Sequence, residues 1–85
     1  MILRVYCVLD KAVQAFMPPM CFRSEGEALR SFMEAVSQEG SSFNKHKQDY
    51  TFCYCGTWND STGLFVSEPP VPIAEAATIL NVIEP

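Results

Sequence analysis

Residues 24–40 read SEGEALRSFMEAVSQEG and carry the clearest helical pattern in the chain. Their start fits a capping box, with Ser24 as the N-cap and Glu27 reaching back to the Ser24 amide. Gly40 is a residue type that commonly ends a helix. Between these signals, apolar residues recur with helical period at Ala28, Leu29, Phe32, Met33, Ala35 and Val36. Because the opposite side is polar, we predict a helix that packs its apolar side on a sheet.

Strand patterns lie before and after this helix. Residues 3–9 alternate and are rich in β-formers, and residues 13–17 resume the pattern after a turn. Residues 50–58 form a long strand pattern, and residues 64–66 pair back to it through polar turn residues. The order β-β-α-β-β predicts an α+β fold: an antiparallel sheet of about four strands with one helix packed on one face.

The C-terminal part of the chain is less regular than the rest. Pro69, Pro70 and Pro72 break strand patterns, whereas Ile73 and Leu80 begin and end a stretch with the apolar spacing of a short helix. We therefore predict one domain over residues 1–68 and a proline-containing tail over residues 69–85, loosely structured or with a short helix. No apolar run approaches the ~20 residues that span a bilayer, so we expect no membrane contact.

The length, charge and composition of the chain limit the classes of function that it can have. With 85 residues, the chain is too short for a two-domain enzyme. Six Lys and Arg against ten Asp and Glu give a formal charge of −4, so the chain lacks a general basic surface for nucleic acid. Charged residues are 19% and aromatic residues 12%, which suggests a surface partly covered by a partner. Since one helix covers only one face of a sheet, we expect a homodimer.

The cysteines are Cys7, Cys21, Cys53 and Cys55. The N-terminal residues lack the basic and apolar regions of a signal peptide, which favours a reducing cytoplasm and free thiols. The chain contains no C-x-x-C pair, so we interpret the thiols as packing residues and expect no bound metal. His46 is the only histidine, and no nucleophile or phosphate-binding glycine loop accompanies it, so we predict neither catalysis nor a cofactor.

The long strand has two different faces by residue parity. Tyr50, Phe52, Tyr54 and Trp58 share one face, and the other carries threonines and cysteines. If the helix covers the Thr/Cys face, the aromatic rings are exposed beside Arg4 and resemble a base-stacking platform. Alternatively, the helix covers the aromatic face, or an exposed aromatic face is a dimer interface.

Residues 45–47, Lys-His-Lys, are the only clustered basic residues, although such a run also fits a solvated loop. With the aromatic strand they complete the candidate nucleic-acid-binding set, which is Arg4, Arg30, Lys45, His46, Lys47, Tyr50, Phe52, Tyr54 and Trp58. Lysines would neutralise phosphates while rings stack on bases.

Several short motifs, taken together, form a pattern that is specific enough to indicate a protein family. They are DKA at 10–12, FMPP at 16–19, EALRSF at 27–32, FNKH at 43–46, DY at 49–50 and GxWNDxTG at 56–63. Over residues 3–66 the chain resembles the small nonstructural protein of gokushovirus-type microviruses, which are tailless phages with circular single-stranded DNA. The sequence departs from that pattern at Lys47, where such proteins often carry proline, in its cysteine content and in its Ala-rich tail.

The resemblance implies a phage accessory protein that assists viral single-stranded DNA synthesis or genome packaging. It also implies that the protein works in the host bacterial cytoplasm and is absent from the virion. Two hypotheses follow. In the first, a dimer binds single-stranded DNA or the viral replication–packaging complex, as the resemblance suggests. In the second, favoured by the charge of −4, the protein is a non-enzymatic regulator that docks on a host or viral protein without touching DNA.

Overall fold

The computed structural model describes residues 1–83 and confirms an α+β fold with a curled antiparallel sheet. The strands are β1 (Ile2–Asp10), β2 (Ala15–Phe16), β3 (Met20–Phe22), β4 (Tyr50–Asn59) and β5 (Leu64–Glu75). The helices are α1 (Glu25–Ser37), α2 (Ser42–Lys45) and α3 (Ala76–Ile83), with a 3-10 turn at Lys47–Asp49.

The sheet runs β2-β1-β4-β5, and β3 pairs with β1 on the same side as β2. Thus β2 and β3 are two pieces of one edge strand, with Leu9 opposite Phe16 and Val5 opposite Cys21. The predicted strand over residues 13–17 is shorter in the structure because the chain is still turning at Gln14, where φ is 57°. The prolines at 18 and 19 separate the two pieces because they have no N–H to donate to β1.

Helix α1 begins where the capping pattern predicts. The Ser24 hydroxyl accepts a hydrogen bond from the Glu27 amide at 3.2 Å, a cap that typically contributes about 1 kcal/mol. The reciprocal bond differs from the prediction: the Glu27 carboxylate accepts from the backbone N–H of Arg23 at 3.3 Å and from its guanidinium at 2.8 Å. The reason is that Arg23 offers the same carboxylate a backbone donor and a charged one.

The aromatic side of the sheet is the side that the helices cover. Phe52 stacks on Tyr6 at a ring-centroid distance of 5.1 Å and on Phe32 of α1 at 4.6 Å. The core consists of Tyr6, Val8, Ala28, Phe32, Val36, Tyr50, Phe52, Ala76 and Leu80. Of the alternatives that the sequence left open, the exposed stacking platform is therefore wrong, since covering large rings removes the most apolar surface from water.

The chain beyond residue 68 belongs to the same fold. Strand β5 continues past Pro69, Pro70 and Pro72 to Glu75, so the predicted boundary at residue 68 falls inside a strand. Prolines are tolerated there because β5 lies at the edge of the sheet and its ladder to β4 is irregular at this point. The predicted short helix is present as α3, and its Ala76 and Leu80 are buried in the core.

Candidate functional site

Strand β4 contains a β-bulge halfway along its pairing with β1. Tyr54 lies opposite Tyr6, yet Gly56 lies opposite Val5, so Cys55 is an extra residue with no partner in that register. A bulge of this kind shifts the alternation of side chains by one residue. Residues of β4 after the bulge therefore point to the opposite side from the one that simple parity predicts.

Gly56 makes the bulge possible. Its φ is +133°, a conformation that L side chains rarely adopt, and a Cβ at this position would overlap the carbonyl oxygen of Val66 in β5. Only glycine combines this backbone conformation with so close an approach of the neighbouring strand. A glycine within a strand pattern is the sequence signal for a bulge, and it was available at residue 56.

Among the predicted site residues, Trp58 lies after the bulge and is therefore on the opposite face of the sheet from the predicted one. It lies opposite Leu3 of β1 and Phe65 of β5, and cross-strand partners share a face. The Trp58 and Phe65 ring centroids are 6.1 Å apart. The sequence prediction that Trp58 shares a face with Tyr54 is therefore wrong, because the bulge lies between these two residues.

We call the side of the sheet opposite the three helices the open face. From the strand register it comprises Leu3, Val5, Cys7, Leu9, Phe16, Cys21, Thr51, Cys53, Gly56, Trp58, Phe65, Ser67, Pro72 and Glu75. The middle of this face is buried, because Val5, Cys7, Thr51 and Cys53 are all almost inaccessible to solvent. Its ends are open: Phe16 is 48% exposed and Phe65 is 58% exposed.

One charged residue stands on the open face, and it already has partners. The Glu75 carboxylate accepts hydrogen bonds from the Thr51 hydroxyl at 2.9 and 3.0 Å and forms a salt bridge with Lys11 at 3.2 Å. The rest of this face is apolar or uncharged. A surface of this composition suits contact with another protein better than contact with a phosphate backbone.

The cysteines gather around the open face, and two of them are joined. Cys7 and Cys55 form a disulfide, whereas Cys21 is an exposed thiol and Cys53 a buried one. The expectation of four free thiols is therefore wrong: the bulge brings Cys55 beside Cys7, which linear spacing does not show. Burial raises the pKa of the Cys53 thiol, and the negative charge of Glu75 raises it further.

Arg4 is engaged by neighbouring side chains of its own chain, although its side chain is 40% exposed. Its guanidinium lies 4.4 Å from the centre of the Tyr54 ring and donates to the Tyr6 hydroxyl at 2.8 Å, and that hydroxyl donates to Glu25 at 3.2 Å. The hydrogen bond to Tyr6 raises the pKa of Arg4, while burial raises the pKa of Tyr6. Glu25 also lies 3.6 Å from the guanidinium, so the charge of Arg4 is largely compensated.

The other predicted nucleic-acid residues are not brought together. Tyr50 and Phe52 are buried, and their rings cannot stack on a base. Lys45 ends α2, His46 follows it, and Lys47 begins the 3-10 turn, all on the helix side of the sheet. Arg30 is exposed on α1, and Tyr54 is half-buried under Arg4. Trp58 stands on the open face, across the sheet from the lysines.

Two negative observations apply to residues 1–83. Within this range, histidine, cysteine and acidic side chains do not assemble in groups of three that could hold a metal ion. Within it, too, no helix is long and apolar enough to cross a membrane.

Fold and surface together define a small α+β protein with one helix-covered sheet face and one apolar open face. A family model described as Phage ORF5 protein matches residues 3–79. The chain therefore belongs to this family of phage proteins, and the match includes β5 and the first half of α3. No curated protein and no solved structure matches the chain.

Proposed function

We propose that this phage protein is a nonstructural accessory protein that assists viral single-stranded DNA synthesis or genome packaging through protein contacts and without catalysis. The observation that carries the proposal is the open face, which is apolar, ends in the half-exposed pair Trp58–Phe65, and holds one carboxylate that is already neutralised. From the resemblance of the motifs to those of gokushovirus-type microviruses, we also propose that the protein acts in the host bacterial cytoplasm and is absent from the virion.

A second copy of the chain is the first partner that we propose for the open face. Each chain carries a net charge of −4, so two copies repel one another unless they meet through an uncharged surface. The open face provides such a surface, because Glu75 is paired with Lys11 of the same chain. A symmetric dimer brings the same patch of both copies together, and an uncharged apolar patch can meet its own copy without opposing like charges.

The dimer is tested by light scattering with a pair of neighbouring substitutions. We expect the wild-type protein to have twice the 9.5 kDa chain mass at high micromolar concentration. Phe65→Glu places a charge on the open face and should raise the dimer Kd at least about tenfold, since an unpaired charge in an interface is costly. Val66→Glu is the control, because Val66 is 64% exposed but lies opposite Thr57 on the other side of β5.

Three outcomes would contradict the dimer. They are a wild-type monomer at high micromolar concentration, a Phe65→Glu variant that dimerises as the wild type does, and equal losses in both variants. Phe65 and Val66 are both exposed, but Phe65→Glu also removes the contact with the Trp58 ring, so equal thermal midpoints of the two variants are the measurement that shows an intact fold.

Single-stranded DNA binding is the second candidate, and the two lysines beside His46 favour it. Lys11, Arg4 and Arg23 form salt bridges, whereas Lys45 and Lys47 form none within residues 1–83. Their charges are therefore available to phosphates.

A fluorescence-polarisation titration with labelled oligonucleotides at several salt concentrations tests this candidate. If DNA is bound, Lys45→Glu with Lys47→Glu should abolish binding at moderate salt, and wild-type affinity should fall steeply with salt. The control is Lys11→Glu with Arg23→Glu, which changes net charge equally at sites already paired. Binding that is undetectable in the wild type, or equal in both double variants, would leave only the protein-contact function.

A further inference from the structure

A pocket of about 230 Å³ opens on the helix side of the sheet, between α1 and the edge formed by β2 and β3. Phe52 lines it from the sheet, Phe32 and Ala35 line it from α1, and Met17 and Met20 stand on the edge side. Of the described residues around it, Ser31 alone has a polar side chain. The pocket is therefore an apolar hole with one hydroxyl, and it lies across the sheet from the open face.

The geometry points to a peptide site: we propose that this pocket and the adjoining edge of β3 bind an extended segment of a partner protein that inserts one tryptophan side chain. The site does not depend on the open face or on DNA. The proposal rests on the size and chemistry of the pocket and on the neighbouring strand edge.

The volume of the pocket and its apolar lining favour a large aromatic ring that carries one hydrogen-bonding group. An apolar cavity of about 150 Å³ is enough to hold benzene. At about 230 Å³ this pocket has room for the larger indole ring. Indole has one donor, its ring N–H, and the exposed Ser31 is the residue of the lining whose hydroxyl can accept a hydrogen bond from it. A side chain with more polar atoms would leave some of them unsatisfied against apolar walls.

The strand edge beside the pocket explains how a partner segment would be held. Within residues 1–83, β3 pairs with β1 alone, so its outer side is an open edge. Every second residue of an edge strand turns its N–H and C=O outward, where an added strand can bond to them. Side chains of that added strand alternate between the two sides of the sheet, so every second one points toward the pocket.

The residues at the mouth suit an adjustable contact. Met17 is 39% exposed and Met20 is 40% exposed, so both side chains are accessible to a partner beside the pocket. Methionine side chains are unbranched and adapt to different partners, and such residues are enriched at binding surfaces of this kind. Pro18 and Pro19, between them, offer no N–H groups, so a strand added to β3 cannot continue its hydrogen bonding across these two residues.

The first test is an NMR titration of the isotope-labelled wild-type protein with indole alone and then with two peptides. The peptides are acetyl-Thr-Val-Trp-Val-Thr-amide and the same sequence with alanine for tryptophan. We expect saturable shifts at β3 and around Ala35 with indole, at least about tenfold tighter binding of the tryptophan peptide because of the added strand pairing, and no saturation with the alanine peptide.

Two substitutions in α1 locate the site. Ala35→Met fills the pocket from a half-buried position and should weaken both indole and peptide binding at least about tenfold. Ser31→Ala removes the hydroxyl and should weaken binding about threefold to tenfold, the usual effect of one hydrogen bond. The control is Ser37→Ala on the same helix, because the Ser37 hydroxyl donates to the Met33 carbonyl and does not line the pocket.

Several results would overturn the proposal. Indole that does not saturate at several millimolar, or unchanged binding in Ala35→Met, would show that the pocket is not the site. A peptide that binds no tighter than indole would show a small-molecule pocket rather than a peptide site. If Ala35→Met does not fold, displacement of the peptide by indole in the wild type decides the same question. The Phe65→Glu variant should bind the peptide normally, which separates this site from the proposed dimer.

Discussion

Replacing Gly56 by alanine should lower the free energy of unfolding by about 3 kcal/mol or more. Two causes add up: φ at this residue is +133°, and an added Cβ would overlap the Val66 carbonyl oxygen. Relief of the overlap requires β4 and β5 to separate at the bulge, and the hydrogen bonds there would be lost. Urea or thermal unfolding measures the change directly.

Two other glycines provide controls for backbone conformation alone. Gly40 and Gly63 have φ of +87° and +74°, and a Cβ on either would meet no atom within 4 Å. Alanine at these positions should cost only about 1–2 kcal/mol, the usual penalty of a left-handed conformation. An effect of Gly56→Ala no larger than these two would contradict the close approach of Val66. The emission of Trp58, the single tryptophan, reports whether the bulge survives in folded variants.

Opening the Cys7–Cys55 disulfide should lower stability by about 4 kcal/mol at most. The cysteines are 48 residues apart, and closing a loop of that length removes about this much chain entropy from the unfolded state. We expect Cys55→Ser to lower the urea midpoint in the absence of reductant, and reductant to lower the wild-type midpoint to a similar value. Cys21→Ser is the control, because Cys21 is an exposed free thiol.

Thiol alkylation followed by mass spectrometry tests the pairing itself. Without reductant the native protein should gain one label quickly at Cys21 and a second slowly at Cys53, whose pKa is raised by burial. After reduction and unfolding, four labels should be found. Four labels without reductant would contradict the disulfide. Since bacterial cytoplasm is reducing, the stability measured with reductant is the one that bears on the proposed function.

The helix and the order of elements were determined by local sequence. The cap at Ser24 and the apolar spacing that follows it depend on residues within a few positions of one another, so pattern alone located α1. The hairpin from β4 to β5 was located for the same reason, since turn residues occupy positions 59–63. The motifs that carry the resemblance also lie in the sequence itself, and the family match confirms the coarser part of that prediction, namely that this is a phage protein.

The composition of the two sheet faces was decided by tertiary structure. Which side of the sheet α1 covers depends on where large rings bury the most surface, and parity alone left that choice open. The position of Trp58 depends on one extra residue at Cys55, because a single bulge reverses every side chain that follows it. The disulfide depends on the same bulge, which brings Cys55 beside Cys7 from 48 residues away. Contacts between distant parts of the chain have no local pattern, and for that reason the sequence predicted α1 and the long strands but not β3, α2 or the full length of β5, while only the packed sheet determined which residues lie on each of its faces.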